Sequence, residues 1–396
     1  MITRRAFSAA AAGLAAACRR RTATGFAGRL FVASADEAAL AVVDLARFTY
    51  ERTLPLPAPA TTVMTHGGKV YALCPAARTL TVFGRPFRAP QALVRLGGAP
   101  QTAVLKHGRL WCLMADPPRL LPVELDPLRL RAAIVLPRRP VSFDVSGAEP
   151  RACIALEGGE VVFVHLETRL VLPPRLLDER PGAVRFRSDG RMAILAGLER
   201  RQLILMDPQT RDVMVQLPLA VRPERFCFSA DGGQLFITGE GSDSVVIAYP
   251  YRSEIAQTSL SGRKPGEMAA SANPPLLFVS NPEAGSVTTF SIAEQRVVSV
   301  TGVGLAPGPI CITPDQQFAL VLNQGSGDVA VIRIPAIPVD TRRRKTAPLF
   351  TMVPVGPKPQ AAVIVPDSGA GPVSRAPLRA VAPVQARLAP RRDKTS

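Results

Sequence analysis

Residues 225–260 read RFCFSADGGQLFITGEGSDSVVIAYPYRSEIAQTSL, and the order of apolar runs and turns in this stretch decides the fold. Phe226-Cys227-Phe228-Ser229 is an apolar run that meets the turn Ala230-Asp231-Gly232-Gly233. Asp-Gly between two apolar runs is a hairpin signal, because glycine takes a positive φ without steric cost. A fully apolar strand follows from Leu235 to Thr238, then a loop of Gly, Ser and Asp from Gly239 to Asp243. Ser244 to Ala248 makes a third strand and Ile255 to Leu260 a more polar fourth. Apolar inner strands and a polar outer one are the gradient of a radial sheet, covered on both faces near the axis and solvated at its rim.

The second strand of this unit has counterparts along the whole chain. LFVAS begins at Leu30, VYALC at Val70, LWCLM at Leu110, ACIAL at Ala152, MAILA at Met192, LFITG at Leu235, LFVSN at Leu277 and ALVLN at Ala319, so successive steps run from 40 to 43 residues. Strands repeating every 40 to 45 residues mark a β-propeller. The chain is therefore all-β, with about eight four-stranded blades. The first unit opens at Leu30 without an inner strand, and the segment AAVIVPD at 361–367 is an inner strand with no unit after it. Inserting it into the first blade closes the ring and removes an open sheet edge. This assigns residues 22–367 to one toroid. The Pro-, Ala- and Arg-rich segment 368–396 is left as a disordered basic tail.

The units LFVSNPEAGSV at 277–287 and LNQGSGDVAV at 322–331 resemble the YVTN β-propeller repeat, with its strand, Asn, Gly/Ser loop and Val-rich strand. Residues 184–335 carry the resemblance clearly, and 30–183 only in rhythm. The resemblance extends to YncE-like exported proteins and lactonase-type propellers. It implies the propeller fold, with seven blades as the alternative count, and its members differ widely in function.

The start of the chain, MITRRAFSAAAAGLAAACRRR, places paired arginines before an apolar stretch and a small-residue site, the layout of a secretion signal over residues 1–21. It resembles a twin-arginine signal, and Cys18 after small residues resembles a lipidation site. An exported protein follows, periplasmic or attached by lipid, with no transmembrane segment. The net charge of +17 is concentrated at the edges of the sequence: the leader holds five arginines, and from Ile337 onward basic residues outnumber acidic ones by eight, leaving the body only mildly basic. Polyanion or envelope contact is accordingly expected through Arg342, Arg343, Arg344, Lys345 and the basic tail, with an affinity that falls with salt.

Signals for chemistry are sparse. The three histidines, His66, His107 and His165, stand far from one another and from metal-ligand spacing, and no Cys-x-x-Cys-His or Gly-x-Ser-x-Gly is present. Cys74, Cys112, Cys153, Cys227 and Cys311 each lie in an apolar run, the pattern of buried thiols rather than of disulfides. No catalytic residue, metal or cofactor is assigned. Polar residues recur in the loops after the second strand, which converge around a propeller's axis, so Glu240, Asp243, Asn281, Glu283, Asn323 and Asp328 are the candidate ligand-binding residues. The expected function is a monomeric, non-catalytic scaffold that binds a protein partner or small ligand at that loop face. A lactonase-like hydrolase is the alternative.

Overall fold

A computed structural model describes residues 25–338 and 347–367. The leader with Cys18, the Arg342–Lys345 cluster and the 368–396 tail lie outside the described residues. The fold is a β-propeller of eight blades, each an antiparallel meander. Blade 1 takes its second, third and outer strands from Gly28–Ser34, Ala39–Asp44 and Thr49–Pro55. Its inner strand is Pro359–Pro366, from the far end of the chain. Register runs from Gly28 opposite Pro366 to Ala33 opposite Ala361, so the ring closes as the sequence predicts. Two ionic contacts fasten the end of this strand: Arg29 Nη1 lies 2.7 Å from Asp367 Oδ1, and Arg85 of blade 2 donates to the Pro366 carbonyl and reaches Asp367 at 3.4 Å.

The quoted stretch forms blade 6, with strands Arg222–Phe228, Leu235–Glu240, Ser244–Tyr249 and Glu254–Leu260. The outer strands of blades 3 and 4 are each split into two short pieces. In blade 4 the break falls at Pro173-Pro174, and in blade 3 it lies opposite Pro122 of the third strand; proline supplies no ladder donor at either place. Third and outer strands share a bulge at one level in blades 1, 5, 6, 7 and 8, beside Val43, Met206, Ala248, Phe290 and Ile332. A bulge there adds the local twist that turns each blade rim away from the axis.

No single centre holds the core. Eight apolar clusters form, one between each pair of neighbouring blades, including the pair of blades 8 and 1. The second strands supply the largest share: Phe31, Phe236 and Phe278, the second residues of their repeats, are fully buried. Burying each such ring contributes about 2–3 kcal/mol. That is why the apolar five-residue repeat is the part of each unit that varies least in character.

Two hairpin types make five of the inner turns. Gly67-Gly68 and His107-Gly108 both have positive φ at their two central positions, a type I′ turn matched to strand twist. In blades 5, 6 and 8, Asp189, Asp231 and Asp315 instead accept the N–H two residues on, at 3.0, 3.0 and 3.2 Å. Among the described residues no helix is long and apolar enough to cross a membrane.

Candidate functional site

A meander fixes which loops share a face. The turns after inner strands and after third strands lie at one end of every blade, here the hairpin face; the loops after second strands and the blade-to-blade connections lie at the other, the crossover face. All six sequence-predicted ligand residues stand on the crossover face, spread over blades 6, 7 and 8. Most of their polar atoms serve their own loops. Asn281 is fully buried, donates to Thr288 Oγ1 at 2.8 Å and accepts from Ser261 Oγ at 3.1 Å. Asn323, also fully buried, donates to Asp328 Oδ1 at 2.7 Å. Asp243 Oδ1 accepts the Lys264 N–H at 2.9 Å. Glu240 and Glu283 are exposed and pair with Arg222 at 3.2 Å and Lys264 at 3.8 Å. These contacts give a direct expectation: Asn281→Ala costs about 1–3 kcal/mol in denaturant unfolding, because it strands buried donors and acceptors, whereas Glu283→Ala stays within about 0.5 kcal/mol.

The larger of two cavities described here opens instead on the hairpin face. It measures about 780 Å³ and lies where the inner strands of blades 3 to 7 reach their turns. Val145, Phe186, Phe228 and Ile292 give it apolar walls; Lys106, Asp144, Arg187 and Asp231 give it charge. Arg187 is committed elsewhere: it makes a bidentate pair with Asp189 at 2.9 and 2.8 Å, donates to the Pro250 carbonyl at 3.1 Å and stacks 4.5 Å from the Tyr251 ring centroid. Asp231 Oδ1 takes the Ser229 hydroxyl and the Gly233 N–H, contacts that hold its carboxyl below the usual aspartate value. The side chain of Lys106, a half-buried residue, has no hydrogen bond or ion pair among the described residues.

Asp144 is the residue that the sequence reading missed. It is the penultimate residue of the inner strand Pro140–Val145 and is only 9% exposed. Opposite the second residue of each repeat, the eight inner strands place Val363, Met64, Val104, Asp144, Phe186, Cys227, Ala269 and Cys311. Seven of these equivalent positions are apolar or thiol; one carries charge. Its oxygens accept the N–H of Val145 at 2.9 Å and of Phe186, on the free edge of the next blade, at 2.8 Å. Above it, Ser142 Oγ accepts the Val184 N–H at 3.3 Å, a second stitch between the same blades. No ion pair reaches Asp144 among the described residues, and burial pushes its carboxyl above the usual aspartate range against the pull of those N–H groups, Arg185 and Lys106.

The second cavity, about 600 Å³, lies on the crossover face of blades 3 to 5. Its charges are largely spent on one another and on the backbone. Arg139 pairs with Glu157 at 3.6 Å, and buried Glu179 accepts the N–H groups of Glu199 and Arg200 at 2.7 and 3.0 Å.

Groups for covalent or metal chemistry do not gather. Among the described residues no set of three or more His, Cys, Asp or Glu is placed to hold a metal. His107 Nε2 lies 2.7 Å from the Ser146 carbonyl, which ties the third blade's turn to the fourth. Burial raises the thiols of Cys112 and Cys227 to about 12 and that of Cys311 to about 11, so all three are unreactive at neutral pH.

The topology also places the borders of the basic segments. Gly25, Pro338, Ala347 and Asp367 all lie on the hairpin face. The described residues that border the Arg342–Lys345 cluster and the basic tail in sequence therefore lie on the same side as the larger cavity.

Neither a protein-family model nor a curated protein matches the sequence. Solved structures do match the fold. The dihydro-heme d1 dehydrogenase NirN, in a complex with DHE, superposes with a TM-score of 0.70 at 12% identity, covering 85% of this chain and 75% of its own. Apo AztD from Citrobacter koseri gives 0.65 at 14% identity, covering 86% and 98%. Hydrazine synthase of Kuenenia stuttgartiensis gives 0.53 at 12% identity, covering 68% and 96%. At these identities the likeness extends to the β-propeller fold.

Proposed function

We propose that this chain is an exported, YVTN-like propeller that does no chemistry and holds a small ligand in the cavity on its hairpin face. One observation carries the reading: a buried carboxylate without an ion pair, in a ring of otherwise uncharged positions, lines a cavity that also holds an uncommitted lysine. Buried charges are ordinarily paired, and a cavity of this size with apolar walls and a few convergent polar groups has the character of a small-molecule site. A partner protein at the crossover face has less support, because Asn281 and Asp328 are engaged by neighbouring side chains and the unpartnered Oδ1 of Asn323 is fully buried. The hydrolase alternative has less support too, since Glu240 is held by Arg222 and Asp328 by Asn323 on separate blades.

A second reading, contact with a polyanion or anionic surface, rests on the single face that holds the described residues bordering the basic segments; such contact weakens steeply with added salt.

The cavity is tested with 8-anilinonaphthalene-1-sulfonate, whose rings suit the phenylalanine walls and whose sulfonate suits Lys106. Ala230→Trp, at an exposed position on the cavity rim, should weaken its binding at least about tenfold in a fluorescence titration. Equal binding by the wild-type chain and this variant counts against the cavity.

A further inference from the structure

We infer that the ligand is a zwitterionic α-amino acid with a large apolar side chain, its ammonium taken by Asp144 and its carboxylate by Lys106. The inference rests on the cavity reading above and adds the chemistry of the occupant. Of the four charged residues in the lining, Arg187 is neutralised by Asp189 and held by the Pro250 carbonyl. Asp231 has one oxygen engaged by its own turn and is exposed to water, so its charge needs no partner. What remains without a direct ion pair among the described residues is one positive group, Lys106, and one buried negative group, Asp144, on adjacent blades.

Each Asp144 oxygen accepts one backbone N–H, and a carboxylate has about four acceptor positions, so capacity is left for a donor from the cavity side. A plain cation would meet the Lys106 ammonium, and a plain anion the Asp144 carboxylate; either leaves one charge opposed. An α-amino acid head carries both signs a single carbon apart and satisfies the two together. Apolar surface at Phe186, Phe228 and Ile292 lies beyond this pair for a side chain. The charged residues facing Asp144 are Arg185 on the next inner strand and Lys106 on the previous one. Arg185 is turned to its own backbone, donating to the Val184 carbonyl at 2.8 Å, which leaves Lys106 to face the ligand.

The test uses the full chain and displacement of 8-anilinonaphthalene-1-sulfonate by L-phenylalanine, N-acetyl-L-phenylalanine and L-phenylalanine amide. L-phenylalanine should compete, with the N-acetyl and amide forms each weaker by about tenfold or more, the usual cost of losing one charged hydrogen bond. Lys106→Met, at a half-buried position outside the apolar core, should remove the preference for L-phenylalanine over its amide while leaving the fold intact. If the dye binds in a manner sensitive to Ala230→Trp but the three compounds compete equally, or none competes, the amino-acid assignment is wrong and the cavity reading stands. If the dye ignores Ala230→Trp, both fail together.

Discussion

A chain ending at Pro357 loses its cooperative unfolding transition, whereas one ending at Asp367 keeps it. The segment from Pro359 to Pro366 is the whole inner strand of blade 1, and its deletion exposes the edge of Gly28–Ser34 along its full length. Val365, 1% exposed, leaves the cluster between blades 1 and 2, and Ala362 and Ile364 leave the one between blades 8 and 1. Each ladder hydrogen bond contributes about 1 kcal/mol net and each buried aliphatic side chain about 1.5–3 kcal/mol. The sum reaches the 5–15 kcal/mol that stabilises an ordinary domain. Part of the loss is not local, since an open ring leaves two blades facing solvent with apolar sides. Urea unfolding followed by circular dichroism checks the pair of chains; a steep, unchanged transition in the shorter one would contradict the closure.

Asp144 carries the second large effect. Asp144→Ala strands the N–H groups of Val145 and Phe186 in the interior, at about 1–3 kcal/mol each, offset in part by relief from burying a charge. A net loss of about 2 kcal/mol at neutral pH is expected in denaturant unfolding. The pH dependence has a definite sign. Burial raises the carboxyl above its unfolded value of about 3.9, so the folded chain binds this proton more firmly than the unfolded one. Its contribution is most favourable below that value and declines as pH rises through the raised one. Asp144→Asn removes the decline: measured against wild type, the variant should gain stability between about pH 4 and pH 7. A constant difference across that range would show that the carboxyl is not perturbed by burial.

Much of the architecture is readable in one sequence because the burial that drives it repeats. Phe31, Phe236 and Phe278 occupy the same place in their units, and each is buried between neighbouring blades. The closing strand was legible for a complementary reason: the first unit lacks an inner strand and the last segment supplies one. What escaped was finer. The split outer strands follow from single prolines, Pro122 and Pro173-Pro174, whose effect depends on which neighbour they face.

The candidate site was less legible. Polarity in the sequence gathers after the second strands, the pattern of a binding surface, but Asn281 and Asn323 spend much of that polarity on turning the chain. Asp144 was hidden by hairpins of two lengths. From inner to second strand the paired residues are Asp144 and Cys153 in blade 4, yet Phe186 and Ala193 in blade 5, a separation shorter by two. Without the register, Asp144 reads as one acid in the run VSFDV near a loop. With it, the acid stands in a ring whose other members are Phe, Val, Met, Ala and Cys.

Amide hydrogen exchange read residue by residue tests the closed ring most directly. Ala361 to Val365 are expected to exchange as slowly as the second strand Gly28–Ser34 with which they pair, both opening only in global unfolding. Exchange of that segment at the rate of an unstructured chain, with Gly28–Ser34 still protected, would contradict it.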